Sequence, residues 1–267
     1  MNFNYINIQR KNASYIIAEI GVNHECSIKV AKKLILLAKR GGADAAKFQT
    51  YKAEKIVKKN SKAYWDIKKE KTKSQFELFS KLDKFQPEDY KNLALYCKKL
   101  KIDFLSTPFD LESVSFLNPL VPLFKISSSD ITNIPLIKKI ANCRKPVILS
   151  TGASNIDEIK SAVKILRKGT KKIIIMHCIL NYPTKDWNAN LSMILDLKKN
   201  FPQYIIGYSD HTLPDSNMLN LTTAYSLGAK VIEKHFTHNK KLKGNDHYHS
   251  MDFKDLKNLS KNIKHIN

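Results

Sequence analysis

Arginine is scarce in this chain: of its 46 basic side chains only Arg10, Arg40, Arg144 and Arg167 carry a guanidinium, and the rest are lysines. Acid is short as well, 24 carboxylate side chains standing against those 46, so the formal net charge is +22. Such a charge ordinarily suggests a nucleic acid, because dense cations neutralise phosphates. Readers of bases and phosphates favour the arginine fork, however. Here the lysines fall in ones and twos along helical patterns, as at Lys32-Lys33, Lys68-Lys69 and Lys198-Lys199, without interleaved aromatics. No nucleic-acid partner is expected, and the field suits a small anionic substrate instead. Closely spaced cysteines are also missing. Cys26, Cys97, Cys143 and Cys178 form no C-x-x-C pair, which excludes a zinc module and a disulfide framework. Cys178 beside His177 is a poor nucleophile pair, since neighbours in a strand point to opposite faces. No apolar run approaches the roughly 18 to 20 residues of a bilayer span, and residues 1–11 lack the apolar core of a secretory signal. The expectation is a soluble, cytoplasmic protein with no membrane partner.

What is present is an alternation. Short β-rich runs at 15–20, 45–49, 103–106, 123–126, 147–150, 173–177, 205–208 and 231–235 are followed by amphipathic helical patterns. The helical patterns cover 28–40, 87–100, 111–117, 135–141, 156–167, 191–199, 214–227 and 253–263, and Asn155 with Glu158 makes a capping-box start to one of them. Eight βα units in roughly 250 residues predict an α/β fold of the (β/α)8 TIM-barrel type, with an open doubly wound sheet as the alternative. One domain spanning 1–267 is expected, residues 1–13 forming a strand or hairpin that closes the barrel bottom. The polar stretch 50–74 is too long for an ordinary βα loop and reads as a lid or substrate-binding loop.

In such a barrel the C-terminal strand ends share one face, and here nearly every one carries a polar group. In order they are Glu19 with Asn23 and His24, Lys47 with Gln49, Ser106 with Thr107, Lys125 with Ser127 and Ser128, and Ser150. After these come His177 with Asn181 and Tyr182, then Ser209, Asp210 and His211, and last Glu233 and His235. Lys47 and Lys125 end apolar strands, where solubilising lysines are badly placed. With the hydroxyls of Thr107, Ser128, Ser150 and Ser209 they are suited to a phosphate or carboxylate. His211 and His235, from consecutive strand ends, are candidate ligands of one metal ion, Mn2+, Zn2+ or Fe2+ on spacing alone, against the alternative of ordinary hydrogen-bonded histidines. His238, His247 and His249 follow in a segment able to fold over the site, and His265 reads as terminal surface.

These segments resemble the sialic acid synthase (N-acetylneuraminate synthase) family. The matching stretches are Ala-Glu-Ile-Gly-Val-Asn-His (18–24), Gly-Ala-Asp-Ala-Ala-Lys-Phe-Gln (42–49), Ser-Thr-Pro-Phe-Asp (106–110), Phe-Lys-Ile-Ser-Ser-Ser-Asp (124–130) and Pro-Val-Ile-Leu-Ser-Thr-Gly (146–152). They continue through His-Cys-x-x-x-Tyr-Pro (177–183), Gly-Tyr-Ser-Asp-His-Thr (207–212), Val-Ile-Glu-Lys-His-Phe-Thr (231–237) and Asp-His-x-x-Ser (246–250). The resemblance implies an enzyme that condenses phosphoenolpyruvate with an N-acylated hexosamine. Lys47, Thr107, Lys125, Ser128, Ser150, Asn181 and Ser209 then hold the phosphate and carboxylate of phosphoenolpyruvate. His211 and His235 are the ligands of a divalent metal, Mn2+ with Mg2+ as the alternative. Glu19, Gln49, Tyr182 and Asp246 contact the acceptor sugar or the water, and Glu233 sits beside the metal. Glu19 and Glu233 are the competing candidates for the base that places water at C2, with Tyr182 and Asp246 as further catalytic positions. The resemblance also implies a homodimer. It further implies a C-terminal antifreeze-like domain that supplies an arginine to the N-acyl group; the sequence ends at Asn267 after its eighth helix pattern, so a barrel without that domain is expected. Asn245 stands where the family commonly has proline. Two other readings are a related deoxy-sugar acid synthase that uses another aldose and a non-catalytic binding or regulatory barrel.

Overall fold

Alternate residues of a strand face opposite sides, and in this chain the two sides are buried against different partners. A computed structural model describes residues 3–10, 14–68, 70–244 and 246–266. Its strands are β1 (Tyr15–Gly21), β2 (Ala45–Thr50), β3 (Asp103–Pro108), β4 (Phe124–Ile126), β5 (Val147–Ser150), β6 (Ile173–Cys178), β7 (Ile205–Asp210) and β8 (Val231–His235). All run parallel in one ladder ordered β3-β2-β1-β8-β7-β6-β5-β4, and β3 and β4 lie against each other at the seam. The fold is a (β/α)8 TIM barrel.

The helices that cover it are α1 (Tyr5–Arg10), α2 (Ile28–Gly41), α3 (Ala53–Ile56), α4 (Gln75–Leu82), α5 (Pro87–Leu100), α6 (Leu111–Leu117), α7 (Ile134–Asn142), α8 (Ile156–Leu166), α9 (Met193–Asn200), α10 (Leu219–Ser226) and α11 (Phe253–Ile266). Local chemistry sets their ends. Ser27 accepts from Val30 N to start α2, and Gly42, at φ 100°, ends it in the left-handed conformation that glycine adopts without strain. Asn155 and Glu158 form the expected capping box on α8. No helix among the described residues is long and apolar enough to cross a membrane.

Outward strand residues such as Ile16, Ala18, Ile20, Phe48 and Ile206 join Leu34, Ile35, Leu93, Ile137 and Leu256 of the helices in the large outer core. Inward residues Tyr15, Ile17, Ala45, Leu105, Leu123, Ile148, Ile174, Met176, Ile205 and Val231 fill the barrel's lower half. Two expectations are corrected. Residues 5–10 form a helix, not a strand or hairpin, because Tyr5 and Ile8, three apart, share one helical face that buries into this lower core; Tyr5 Oη donates to Ile173 O at 3.1 Å. Residues 1–2 and 11–13 of that expected cap lie outside the described residues. The helix expected from Pro214 starts at Leu219, because Asp215 accepts from the backbone of Asn217 and Leu219 and closes a turn first. The stretch 50–74 contains α3 and a bridge between Lys62 and Ser74, and buried Trp65 donates Nε1 to Thr72 O at 3.2 Å.

Candidate active site

Above the apolar lower half, the same inward parity delivers the last side chain of each strand into the barrel mouth. Glu19, Lys47, Thr107, Lys125, Ser150, Cys178, Ser209 and Glu233 occupy this layer, and all are buried. Lys47 pairs with Glu19, lies 3.6 Å from Glu233 Oε2 and donates to Thr107 Oγ1 at 3.1 Å. Lys125 donates to Glu233 Oε1 at 2.8 Å, and Ser209 donates to the same oxygen at 2.9 Å. Gln49 Nε2 donates to Glu19 Oε1 at 3.4 Å. Four ionisable groups this deep in a barrel cost several kcal/mol each in desolvation, of the order found for buried ions, so an apolar layer would stabilise the fold better. Their presence marks a site built for charged ligands.

The two carboxylates are driven apart. Burial pushes Glu19 up to about 7, with Lys47 opposing and the Glu233 charge adding to the rise. Burial would raise Glu233 too, but Lys125 and Lys47 outweigh it and hold this carboxyl well below the usual range. Glu19 is therefore the group able to exchange a proton near neutrality, while Glu233 stays ionised. For Lys47, burial disfavours the charge, yet Glu19 and Glu233 outweigh it and raise its value.

Ser128 follows β4 and accepts from Gly152 N at 3.0 Å, with Cys178 Sγ 2.9 Å from its hydroxyl. Ser150 Oγ is buried without a hydrogen-bond partner among the described residues. It is a donor in want of an acceptor, in the same layer of the barrel mouth as Lys47 and Lys125.

Beside this cluster stand the histidines. His211 Nδ1 hydrogen-bonds to Ile179 O at 2.7 Å, which fixes the proton there and leaves Nε2 as a lone pair. Burial lowers His211 to about 4, and it lowers His235 well below its ordinary value, with His249 and His211 adding to the effect. Both are neutral imidazoles at neutral pH, as a metal ligand must be. Their ring centroids are 5.8 Å apart, and the Tyr182 ring packs on that of His211 at 4.1 Å, tilted by 35°. Asp246 Oδ2 lies 3.7 Å from His235 Nδ1.

A cavity of about 940 Å3 is lined by Gln49, Tyr182, His235 and Asp246. Its apolar wall comes from Tyr51, Ile56 and Tyr64 of the 50–74 stretch together with Phe79, Phe109 and Leu180.

The structure thus brings together thirteen of the fourteen residues to which the resemblance gives a role: Glu19, Gln49, Lys47, Thr107, Lys125, Ser128, Ser150, Tyr182, Ser209, His211, Glu233, His235 and Asp246. Asn181 is the exception. Its side chain is exposed, and only its carbonyl is engaged, by Thr184 Oγ1 at 2.9 Å. Asp210 and His177 also turn away from the mouth, because Ser209 and Cys178 take the inward positions. Asp210 binds Lys234 on the outer face at 2.6 Å, and His177 bonds Ala189 O at 2.8 Å. His249, expected only in a segment able to fold over the site, is fully buried with its ring 5.1 Å from that of His235, and the Lys234–Asp210 pair was not expected. Strand parity was the available signal for the pair.

Residues 34–267 match the NeuB family. The N,N'-diacetyllegionaminic acid synthase of Campylobacter jejuni is 44% identical over 257 residues, covering 94% of this chain and 75% of that protein. The pseudaminic acid synthase of Helicobacter pylori is 33% identical over 259 residues, covering 93% and 73%. Among solved structures, the N-acetylneuraminic acid (sialic acid) synthetase of Leptospira borgpetersenii superposes with a TM-score of 0.85 at 33% identity, covering 95% of this chain and 84% of that one. The chain belongs to the NeuB family, as a transferase of the sialic-type acid synthase class.

Proposed function

We propose that this barrel condenses phosphoenolpyruvate with an N-acylated hexosamine, giving a nonulosonic acid and inorganic phosphate. The observation that carries the reading is the buried Lys47–Glu19–Glu233–Lys125 cluster in the barrel mouth, linked through Gln49 to a cavity of about 940 Å3, with the buried Ser150 hydroxyl at the end of β5 unpartnered among the described residues. Lys47 and Lys125 are point charges fitted to an anion with a phosphate and a carboxylate, and Thr107, Ser128, Ser150 and Ser209 add hydroxyl donors.

Binding such an anion draws Lys47 away from Glu19. Glu19 then loses the cation that opposes its burial, so its affinity for a proton rises further. That prepares Glu19 to take the proton of a water adding at C2 of the enol. In the same reaction C3 of the enol forms the new bond to the acceptor's aldehyde carbon. The tetrahedral C2 centre then expels phosphate by cleavage of its C–O bond, and Lys47 and Lys125 neutralise the departing charge. Glu233, kept ionised by both lysines, holds them in place between turnovers.

His211 and His235 fit a divalent cation, Mn2+ or Mg2+: both rings are neutral, His211 presents Nε2, and buried His235 Nδ1 has no hydrogen-bond partner among the described residues. Such an ion, when bound, supplies polarisation of the aldehyde oxygen. Tyr182, Gln49 and Asp246 reach the acceptor side of the cavity, and its aromatic and aliphatic wall accepts an acyl methyl.

The test is incubation of the full chain with phosphoenolpyruvate, Mn2+ and a panel of aldoses, reading phosphate release and product mass. Phosphate and a product three carbons longer, formed with N-acetylmannosamine or a 2,4-diacetamido hexose, support the reading. Release with unacylated aldoses alone, or with none, overturns it.

A further inference from the structure

The 246–251 segment is built onto the end of β8. Thr237 N donates to Met251 O at 3.0 Å and Met251 N to His235 O at 2.8 Å, a short parallel bridge that staples the segment to the strand. Asn23, in the turn after β1, ties both sides together: its Nδ2 donates to Phe236 O at 3.1 Å and to Ser250 Oγ at 3.0 Å. Ser250 Oγ in turn donates to Asp246 O at 2.5 Å.

Held this way, His249 is fully buried, its ring 5.1 Å from that of His235 at an interplanar angle of 73°. Asp246 stands between them, Oδ2 3.7 Å from His235 Nδ1 and Oδ1 4.0 Å from His249 Nε2. One donor atom from each of the three lies within 4.8 Å of the others. Neighbouring ligands at about 2.0 to 2.2 Å from a tetrahedral ion stand roughly 3.3 to 3.6 Å apart, so closing on an ion needs a shift of about an ångström in the widest pair. An independent sign points the same way: His235 Nδ1, facing this group, is buried and has no hydrogen-bond partner among the described residues.

The geometry points to His249 and Asp246 as ligands, with His235, of the proposed divalent ion; the ring of His211, just after β7, lies 5.8 Å from that of His235. This rests on the proposed metal reading and deepens it. The Asp-His-x-x-Ser pattern leaves residue 249 open, so the additional imidazole lies outside the stretches that carry the family resemblance. A third nitrogen donor moves the site away from Mg2+, which prefers oxygen, and toward Zn2+, Co2+ or Fe2+. It also makes Asp246 a ligand in place of a contact to the sugar.

The test uses the full chain freed of metal by dialysis against a chelator, with Co2+ and Zn2+ alone as probes. One Co2+ per chain with a visible d–d band is expected. His249→Gln weakens binding by more than the roughly 10- to 100-fold that loss of a partner outside the ligand shell costs. His249→Cys gives a near-ultraviolet sulfur-to-cobalt charge-transfer band, a signature that a buried structural side chain cannot produce. Far-UV circular dichroism on each variant checks folding, and the cysteine variant keeps the question open to decision where glutamine fails to fold. Native affinity in His249→Gln with no charge-transfer band in His249→Cys, while His235→Gln releases the ion, overturns the role of His249 and leaves the pair His211–His235. Native protein that binds neither ion defeats the metal reading itself, and this inference with it.

Discussion

Replacing Asp210 by asparagine removes one half of an ion pair that has no access to water. Lys234 Nζ is 2.6 Å from Asp210 Oδ2 and 2.6 Å from Thr212 O, with side-chain exposures of 0% and 2% for the pair. Breaking a buried pair on one side costs about 3 to 5 kcal/mol, because the remaining charge is neither solvated nor neutralised. At about 2 to 4 °C per kcal/mol in a chain near this size, Asp210→Asn lowers the melting midpoint by roughly 6 to 20 °C. Lys234→Met costs less. Its removal leaves Asp210 with donors from Tyr208 Oη at 2.9 Å, Thr212 N at 3.1 Å and Thr212 Oγ1 at 3.0 Å. The double variant, with no charge left, recovers much of the loss. The pH sign follows from the same contacts: burial would raise Asp210, but Lys234 and the other donors hold it below its usual value. Its stabilisation is therefore present above about pH 4 and lost as the pH falls through the lowered folded value. Differential scanning calorimetry on the three variants, with urea titration, gives the cycle. Asp210→Asn costing under about 1 kcal/mol, or single effects that simply add in the double variant, would refute the reasoning.

Four further outcomes are expected. Because Glu19 is raised to about 7, kcat/KM should climb with pH through that value as its carboxylate forms, and Glu19→Gln should erase the climb. The same raised value makes Glu19's contribution to stability complete below about pH 4.5 and lost as pH rises through about 7, so urea midpoints of native and Glu19→Gln protein should differ in pH slope over that window. Lys125→Met, which strands Glu233 and removes a charge from the departing phosphate, should cut kcat/KM for phosphoenolpyruvate by about 100- to 1000-fold, read by initial-rate phosphate release. Trp65→Ala should loosen the wall of the cavity, since its Nε1 bond to Thr72 O pins the 50–74 stretch; KM for the acceptor should rise more than KM for phosphoenolpyruvate, with faster amide exchange confined to that stretch.

Much of this arrangement was legible in the sequence because strand parity is a strict rule. Once Ile17 is inside, Glu19 is inside and Ile16 and Ile20 face the helices, and the same step of two carries Ala45 to Lys47 and Val231 to Glu233 and His235. The rule also explains Asp210 and Lys234, whose polarity suggests the mouth while their parity sends them outward to pair. Short-range competition hid the rest. Asp215 closes a turn that delays α10, and six residues near the start fold as a helix because Tyr5 and Ile8 find a shared apolar floor supplied by distant strands. The burial of His249 against His235 was hidden for a third reason: its place depends on a bridge from Met251 to the end of β8 and on Asn23 reaching across from β1, contacts far apart in sequence. Asn181 stays outside the buried layer, exposed in the loop after β6, where Thr184 engages its carbonyl.

The central claim, that the lysine-lined layer holds an enol phosphate whose C–O bond breaks, is tested most directly by isotope placement. Phosphoenolpyruvate carrying 18O in its bridging oxygen is turned over with Mn2+ and an N-acyl hexosamine, and both products are weighed by mass spectrometry. The account predicts the label in inorganic phosphate, with oxygen from water at C2 of the new acid. Label retained in the organic product would mean that the P–O bond breaks, contradicting the proposed roles of Glu19, Lys47 and Lys125.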